Sequence, residues 1–250
     1  MIAQPAPASQ ELTDALYTYF DRRRKPTDFE IKSLERKAEA LKNKIDFADY
    51  YTFLGIIAAL RQDSKSLTSH FDNALKLAPN NTVVLSNYLV ALNNSGEHLK
   101  ALILGRTLLK RVNNDDKLLN ETIRSACQLC RFHEAHQLLL NNLENDQKSE
   151  WYQYANHAIE ITDYAHLDDN EAEQLQQLAF SLLKKNNLYF SNIRIGALND
   201  FIHYEIFVDL PIAQIPALDF ELSRTFAKNL ENMRDDVIVF EYRSVEALQK

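Results

Sequence analysis

Apolar residues recur at helical spacing through most of the chain and at strand spacing near its end. From Ser9 to Arg24, Leu12, Ala15, Leu16, Tyr19 and Phe20 share one helical face. Thr27 and Glu30 have capping-box spacing, and the helix they start carries Ile31, Leu34, Ala38 and Leu41. Between 48 and 149, helical stretches of about a dozen residues come in pairs, parted by the polar breaks Arg61–Ser64, Asn93–Gly96 and Cys130–Arg131. Trp151, Tyr154, Ala155 and Ala158 predict a further helix. Asp168 or Asp169 starts another, with Ala172, Leu175, Leu178, Ala179 and Leu182 inward and its end at Lys184-Lys185-Asn186. At Asn186 the period changes to two. Ser191, Ile193, Ile195 and Ala197 alternate with Asn192, Arg194 and Gly196, and Asn199-Asp200 supplies a turn. Ile202, Tyr204, Ile206 and Val208 mark a second strand. Pro211 and Pro216 flank the start of a helix facing inward through Leu218, Leu222 and Phe226. After Glu231–Asp236, a third strand covers Val237–Arg243, giving the order β-β-α-β.

The paired stretches repeat. Tyr51, Leu54, Gly55, Phe71, Ala74 and Pro79 set a pattern, and an advance of 34 residues meets Leu85, Tyr88, Leu92, Gly96 and Ala101. A second advance of 34 meets Leu119, Ala135 and Leu139. Small side chains at Gly55 and Ala74 let two helices approach closely, and Pro79 stops the second helix. The pattern resembles the tetratricopeptide repeat, a helix–turn–helix unit, with copies at 48–81, 82–115 and 116–149. The second copy departs from the family with Gly105 in place of an aromatic and Asn113 in place of proline, and the third lacks the proline.

The fold class expected is therefore mainly α: a tetratricopeptide-like solenoid of antiparallel helix pairs, then a small α+β domain. The boundaries are a disordered tail over 1–8, a helical-repeat domain over 9–185 and the α+β domain over 186–250. The helices before residue 48 form a degenerate repeat or a cap over the first copy's apolar side.

Composition fits that outline. The chain has 250 residues with 46% apolar and 25% charged, which excludes wholesale disorder. Only 4 glycines are present, too few for turn-rich β architectures or a phosphate-cradling loop. The net charge of −7 is local: residues 150–250 carry 8 basic and 17 acidic side chains, while the rest is nearly balanced. Two cysteines make no disulfide framework, the N-terminus has no secretion-signal pattern, and no apolar run reaches membrane-spanning length. A soluble, cytoplasmic protein is expected.

Tetratricopeptide arrays hold a partner on the inner face of each unit's first helix. The resemblance assigns that face to Thr52, Phe53 and Ile56 in the first copy. Val83, Asn87, Val90 and Asn94 follow in the second, and Lys117, Asn120, Glu121 and Arg124 in the third. The family's carboxylate clamp is incomplete, because Glu121 stands where an arginine is expected and would repel a carboxylate. A protein or peptide segment, helical or extended, suits the mixed apolar and amide face. Cys127, Cys130, His133 and His136 are zinc-capable types, but their three-residue spacing crosses a turn and lacks the loop that wraps a structural zinc, so no metal is assigned. No cofactor motif occurs. Arg22–Lys25 complements a helix C-terminus rather than forming a nucleic-acid patch. His203 and Glu205 share a sheet face with Phe207. The leading expectation is a non-catalytic adaptor or scaffold, with a homodimer contact through the C-terminal sheet and neither nucleic acid nor membrane as partner. The alternative is an enzyme or ligand-sensing regulator with its site in 186–250, marked by a pocket lined by His203, Glu205 or Tyr242. A nucleic-acid role for the basic start is a third reading.

Overall fold

A computed structural model of the chain describes residues 7–22, 26–112, 115–141, 150–198, 200–229 and 237–249. Among these residues the protein is mainly helical, with eleven α-helices and a small three-stranded sheet near the C-terminus. No helix among them is long and apolar enough to cross a membrane. By contact density the chain divides into two compact units, Met1–Leu108 and Leu109–Lys250.

The first unit contains α1 (Pro7–Arg22), α2 (Asp28–Leu41), α3 (Phe47–Leu60), α4 (Ser64–Leu77), α5 (Thr82–Asn94) and α6 (His98–Leu109), the last ending at the division. The first helix begins two residues before Ser9, with proline in its first turn where no amide is needed. It ends at Arg22; Arg23, Arg24 and Lys25 lie outside the described residues, as do 1–6 and Asn113. Side chains satisfy amides at the starts of α2, α4 and α5. Thr27 and Glu30 make the reciprocal capping box of α2, at 3.3 and 2.8 Å. Asp63 caps α4 through the Ser66 amide, and Asn81 caps α5 through those of Val83 and Val84. α3 is apolar on nearly every side and lies at the centre, packed on α1, α2, α4 and α5. A Cβ added to Gly55 would lie 2.5 Å from the fully buried Phe71 ring, so the α3–α4 contact demands glycine there. Phe71 in turn stacks on Tyr88 of α5 at 4.6 Å between ring centroids.

One turn recurs between helices. Gln62, Gly96 and Cys130 adopt left-handed backbone, with φ of 56°, 81° and 59°. In each case the next amide donates to the carbonyl five residues back: Asp63 to Ala58, Glu97 to Leu92, Arg131 to Ala126, at 2.9–3.0 Å. The three positions are the polar breaks read from the sequence and share its 34-residue step. His166 and Asn187 end later helices in the same manner.

The second unit holds α7 (Asp116–Gln128), α8 (Phe132–Leu140), α9 (Glu150–Ala165), α10 (Asp169–Lys185), β1 (Phe190–Leu198), β2 (Phe201–Val208), α11 (Ile215–Asn229) and β3 (Ile238–Ser244). Asp115 caps α7, and Asp168 forms a capping box with Glu171 at the start of α10. α9 packs on both α7 and α8. The sheet order is β1-β2-β3, with β1 and β2 an antiparallel hairpin and β3 parallel to β2. A parallel neighbour requires a crossover, and α11 is that crossover, facing inward through Leu218, Leu222 and Phe226. Ile202, Tyr204, Ile206 and Val208 of β2 are buried as the alternation predicts, and so are Ile238, Phe240 and Tyr242 of β3. Asn199 and Glu231–Asp236 lie outside the described residues. Two buried hydroxyls fasten the sheet to helices: Tyr204 donates to the Gln128 carbonyl at 2.6 Å and Tyr242 to the Ala179 carbonyl at 2.7 Å.

Candidate functional site

The residues assigned to a partner-binding face in the first unit fall into two groups. Thr52, Phe53, Ile56 and Val90 are 5%, 8%, 4% and 8% exposed. The Thr52 hydroxyl donates to the Ala48 carbonyl at 2.8 Å, so it has no need of an outside partner. The burial of Thr52, Phe53 and Ile56 follows from the place of α3 among four other helices, and that of Val90 from the packing of α5 on α3 and α4. Val83, by contrast, is 64% exposed. Asn94 is half-buried and its amide donates to the Val90 carbonyl at 3.0 Å. The Asn87 carboxamide oxygen accepts the Tyr17 hydroxyl at 2.5 Å, a bond from α1 to α5 across 70 residues that no local pattern announces.

In the second unit Lys117 is exposed, and Asn120, Glu121 and Arg124 are half-buried along α7. Glu121 and Arg124 pair at 3.4 Å one helical turn apart. The carboxylate that breaks the family's clamp pattern thus has a cation beside it, and the face as built carries lysine, amide and an ion pair. Asn87 and Lys117 belong to different units.

The four zinc-capable side chains are placed for other tasks. Cys127 lies in the last turn of α7 and Cys130 occupies the left-handed turn; both thiols are free and fully buried. Burial, with Asp169 nearby, pushes both thiols up, so neither supplies a thiolate. His133 lies beyond the turn on α8, with Asp169 at 3.0 Å from Nδ1 and Asp163 at 2.9 Å from Nε2. Burial works against its charge, but the hydrogen bonds and charges of the two aspartates outweigh it and hold its pKa above the usual histidine value. His136 is half-buried on the same helix. Among the described residues no three His, Cys, Asp or Glu side chains converge to hold a metal.

Asp169 has a second task that sequence reasoning missed. Arg131, at the cap position of α8, makes no side-chain cap bond. The Asp169 carboxylate, from the first turn of α10, accepts the His133 and Glu134 amides at 3.0 Å each. Arg131 joins the same junction by pairing with Glu173 at 2.7 Å and Glu134 at 3.2 Å. The one signal in the sequence is an aspartate doublet, Asp168-Asp169, of which a single member suffices to cap α10.

On the sheet, His203 and Glu205 lie on the face opposite Tyr204 and Tyr242. Glu205 accepts from Arg194 at 3.2 Å and Arg243 at 3.1 Å, and Arg243 also pairs with Glu241 at 2.6 Å. The result is a charge ladder across three strands. Tyr242 is buried against α10 and does not share that face. Among the described residues, one open cavity of about 410 Å³ lies beside α11, lined by Lys185, Phe220, Arg224 and Lys228 among others, and another of about 600 Å³ lies along α4. Neither is lined by His203, Glu205 or Tyr242. Comparison with known protein families, curated proteins and solved structures finds no match.

Proposed function

We propose that the chain is a non-catalytic, cytoplasmic protein-binding adaptor of tetratricopeptide type, in which stacked helix pairs offer the faces of their first helices to a partner segment. The observation that carries this reading is the left-handed turn at Gln62, Gly96 and Cys130, with one hydrogen-bond pattern at one sequence interval. Packing within each unit supports it: α5 lies on both α3 and α4, and α9 on both α7 and α8, as neighbours in a stacked array do. Free, buried cysteines accord with a reducing compartment. The exposed candidates are Val83 in the first unit and Lys117 in the second, with Asn120 half-buried one turn on, and they suit a segment presenting both apolar and hydrogen-bonding groups. A second copy could pair along β1, an edge strand in the sheet order.

The test is a pull-down with tagged full-length protein, the bound proteins identified by mass spectrometry. Wild type is compared with a Val83→Asp variant and a Lys117→Ala/Asn120→Ala variant whose melting curves match it. A defined partner whose capture falls about tenfold in at least one variant, a loss of ~1.4 kcal/mol, is the expected result. Equal capture by all three proteins rejects the assigned faces.

A further inference from the structure

We propose that the partner face of the first unit is already occupied by the chain's own helix α1, and that its external partner is an amphipathic helix with a matching leucine–leucine–tyrosine face that competes with α1. The inference rests on the adaptor reading above and specifies its ligand and its regulation.

Three observations converge. First, the assigned residues Phe53, Ile56 and Val90 are at most 8% exposed although a partner-binding register places them on an open face. Second, α1 packs on α3, the helix that carries Phe53 and Ile56, and its Leu12 and Leu16 are 1% and 0% exposed. Leucines four residues apart form one helical stripe, the pattern with which an amphipathic helix enters an apolar groove. Third, Tyr17 reaches beyond α3 to Asn87 on α5, one turn before Val90, so α1 satisfies a polar group of the same face. An external helix needs the same three features: two aliphatic anchors one turn apart and a hydroxyl or other donor for the Asn87 oxygen.

The sequence of α1 makes it a displaceable ligand. Thr13 and Thr18 turn their hydroxyls back onto the Ser9 and Asp14 carbonyls, and Tyr17 and Tyr19 add further weak helix formers. Sixteen residues of that composition hold helix mainly through docking. A competitor with stronger intrinsic helicity meets a face that is free for only a fraction of the time, and its apparent affinity is reduced by that fraction.

The experiment uses the full-length protein and a fluorescein-labelled peptide copying residues 7–22, read by fluorescence anisotropy. Wild type binds the peptide weakly. Tyr17→Phe, which deletes one hydrogen bond of α1, tightens peptide binding about fivefold, and Leu12→Asp/Leu16→Asp tightens it tenfold or more. A peptide with both leucines replaced by aspartate does not bind. Hydrogen exchange of the wild type supplies a readout independent of these variants: α1 amides exchange ahead of those of α3. Peptide affinity equal across the proteins overturns the proposal. So does α1 exchanging only together with α3, or loss of cooperative folding in the double variant without tightening by Tyr17→Phe, because α1 is then a structural wall. If the pull-down succeeds while these measurements fail, the adaptor reading stands and self-occupancy falls; the reverse outcome removes the assigned external partner faces alone.

Discussion

His133 has a carboxylate at each ring nitrogen, and in its charged form both N–H groups donate to them. Its folded pKa is raised, so the stabilisation it provides is complete below the ordinary histidine value of about 6.5 and is lost as pH climbs through the folded value. Thermal unfolding between pH 5.5 and 8.5 should therefore show a decline in Tm that a His133→Gln variant lacks. Solvent screening of a side chain 39% exposed limits the effect to the order of 2 °C. A variant that declines in parallel with wild type places the titrating group elsewhere. The residues flanking this histidine advertised a different chemistry in the sequence. Two thiols and two imidazoles at three-residue steps suggest a metal only if the turn between them is ignored; the turn sends the thiols into the core, and the aspartates that engage His133 arrive from 30 and 36 residues away. Local spacing cannot register such partners.

Helices were the most legible level, and the reason is chemical. Thr27 and Asp168 were readable as helix starts, and Asp63, Asn81 and Asp115 likewise place a side-chain oxygen where unpaired amides need one, whereas α3 and α8 begin without such a bond. The ends were legible as polar breaks, yet their conformation was not, since glycine marks the left-handed position in Gly96 and is absent from Gln62 and Cys130. The difference can be weighed by exchange. Gly96→Ala should cost about 1 kcal/mol in chemical denaturation, and Gln62→Gly should recover a comparable amount. A neutral Gly96→Ala would mean that the turn relaxes to another conformation. The burial of α3 was not legible for a different reason. A repeat register states which side of a helix its pattern leaves outward, but Thr52, Phe53 and Ile56 are buried, and α1, which packs on α3, also bonds α5 across 70 residues of chain.

Across the whole molecule, alternation after Asn186 located three strands and the helix between them, because a half-buried sheet imposes period two on its sequence. Alternation does not say what covers the buried face, and here the covering is supplied by α9, α10 and α11 within the second unit. Tyr204 is the clearest joint, its hydroxyl fully buried on the Gln128 carbonyl. Tyr204→Phe leaves that carbonyl short of a donor and should lower the unfolding free energy by about 1–2 kcal/mol while far-ultraviolet dichroism stays unchanged. No change in stability would assign the joint to ring packing alone.

The parallel pairing of β3 with β2 also bears on how the protein comes into being. β1 and β2 are joined by a tight hairpin and can zip together as soon as both are made, whereas β3 must wait for the whole of α11 and the segments around it. During synthesis, at about 5–20 residues per second, β2 therefore spends some seconds with one rim of amides and carbonyls bare. In that interval the nascent chain is most open to mispairing with its neighbours on a polysome, and chaperone demand should centre on the moments before Ile238 emerges.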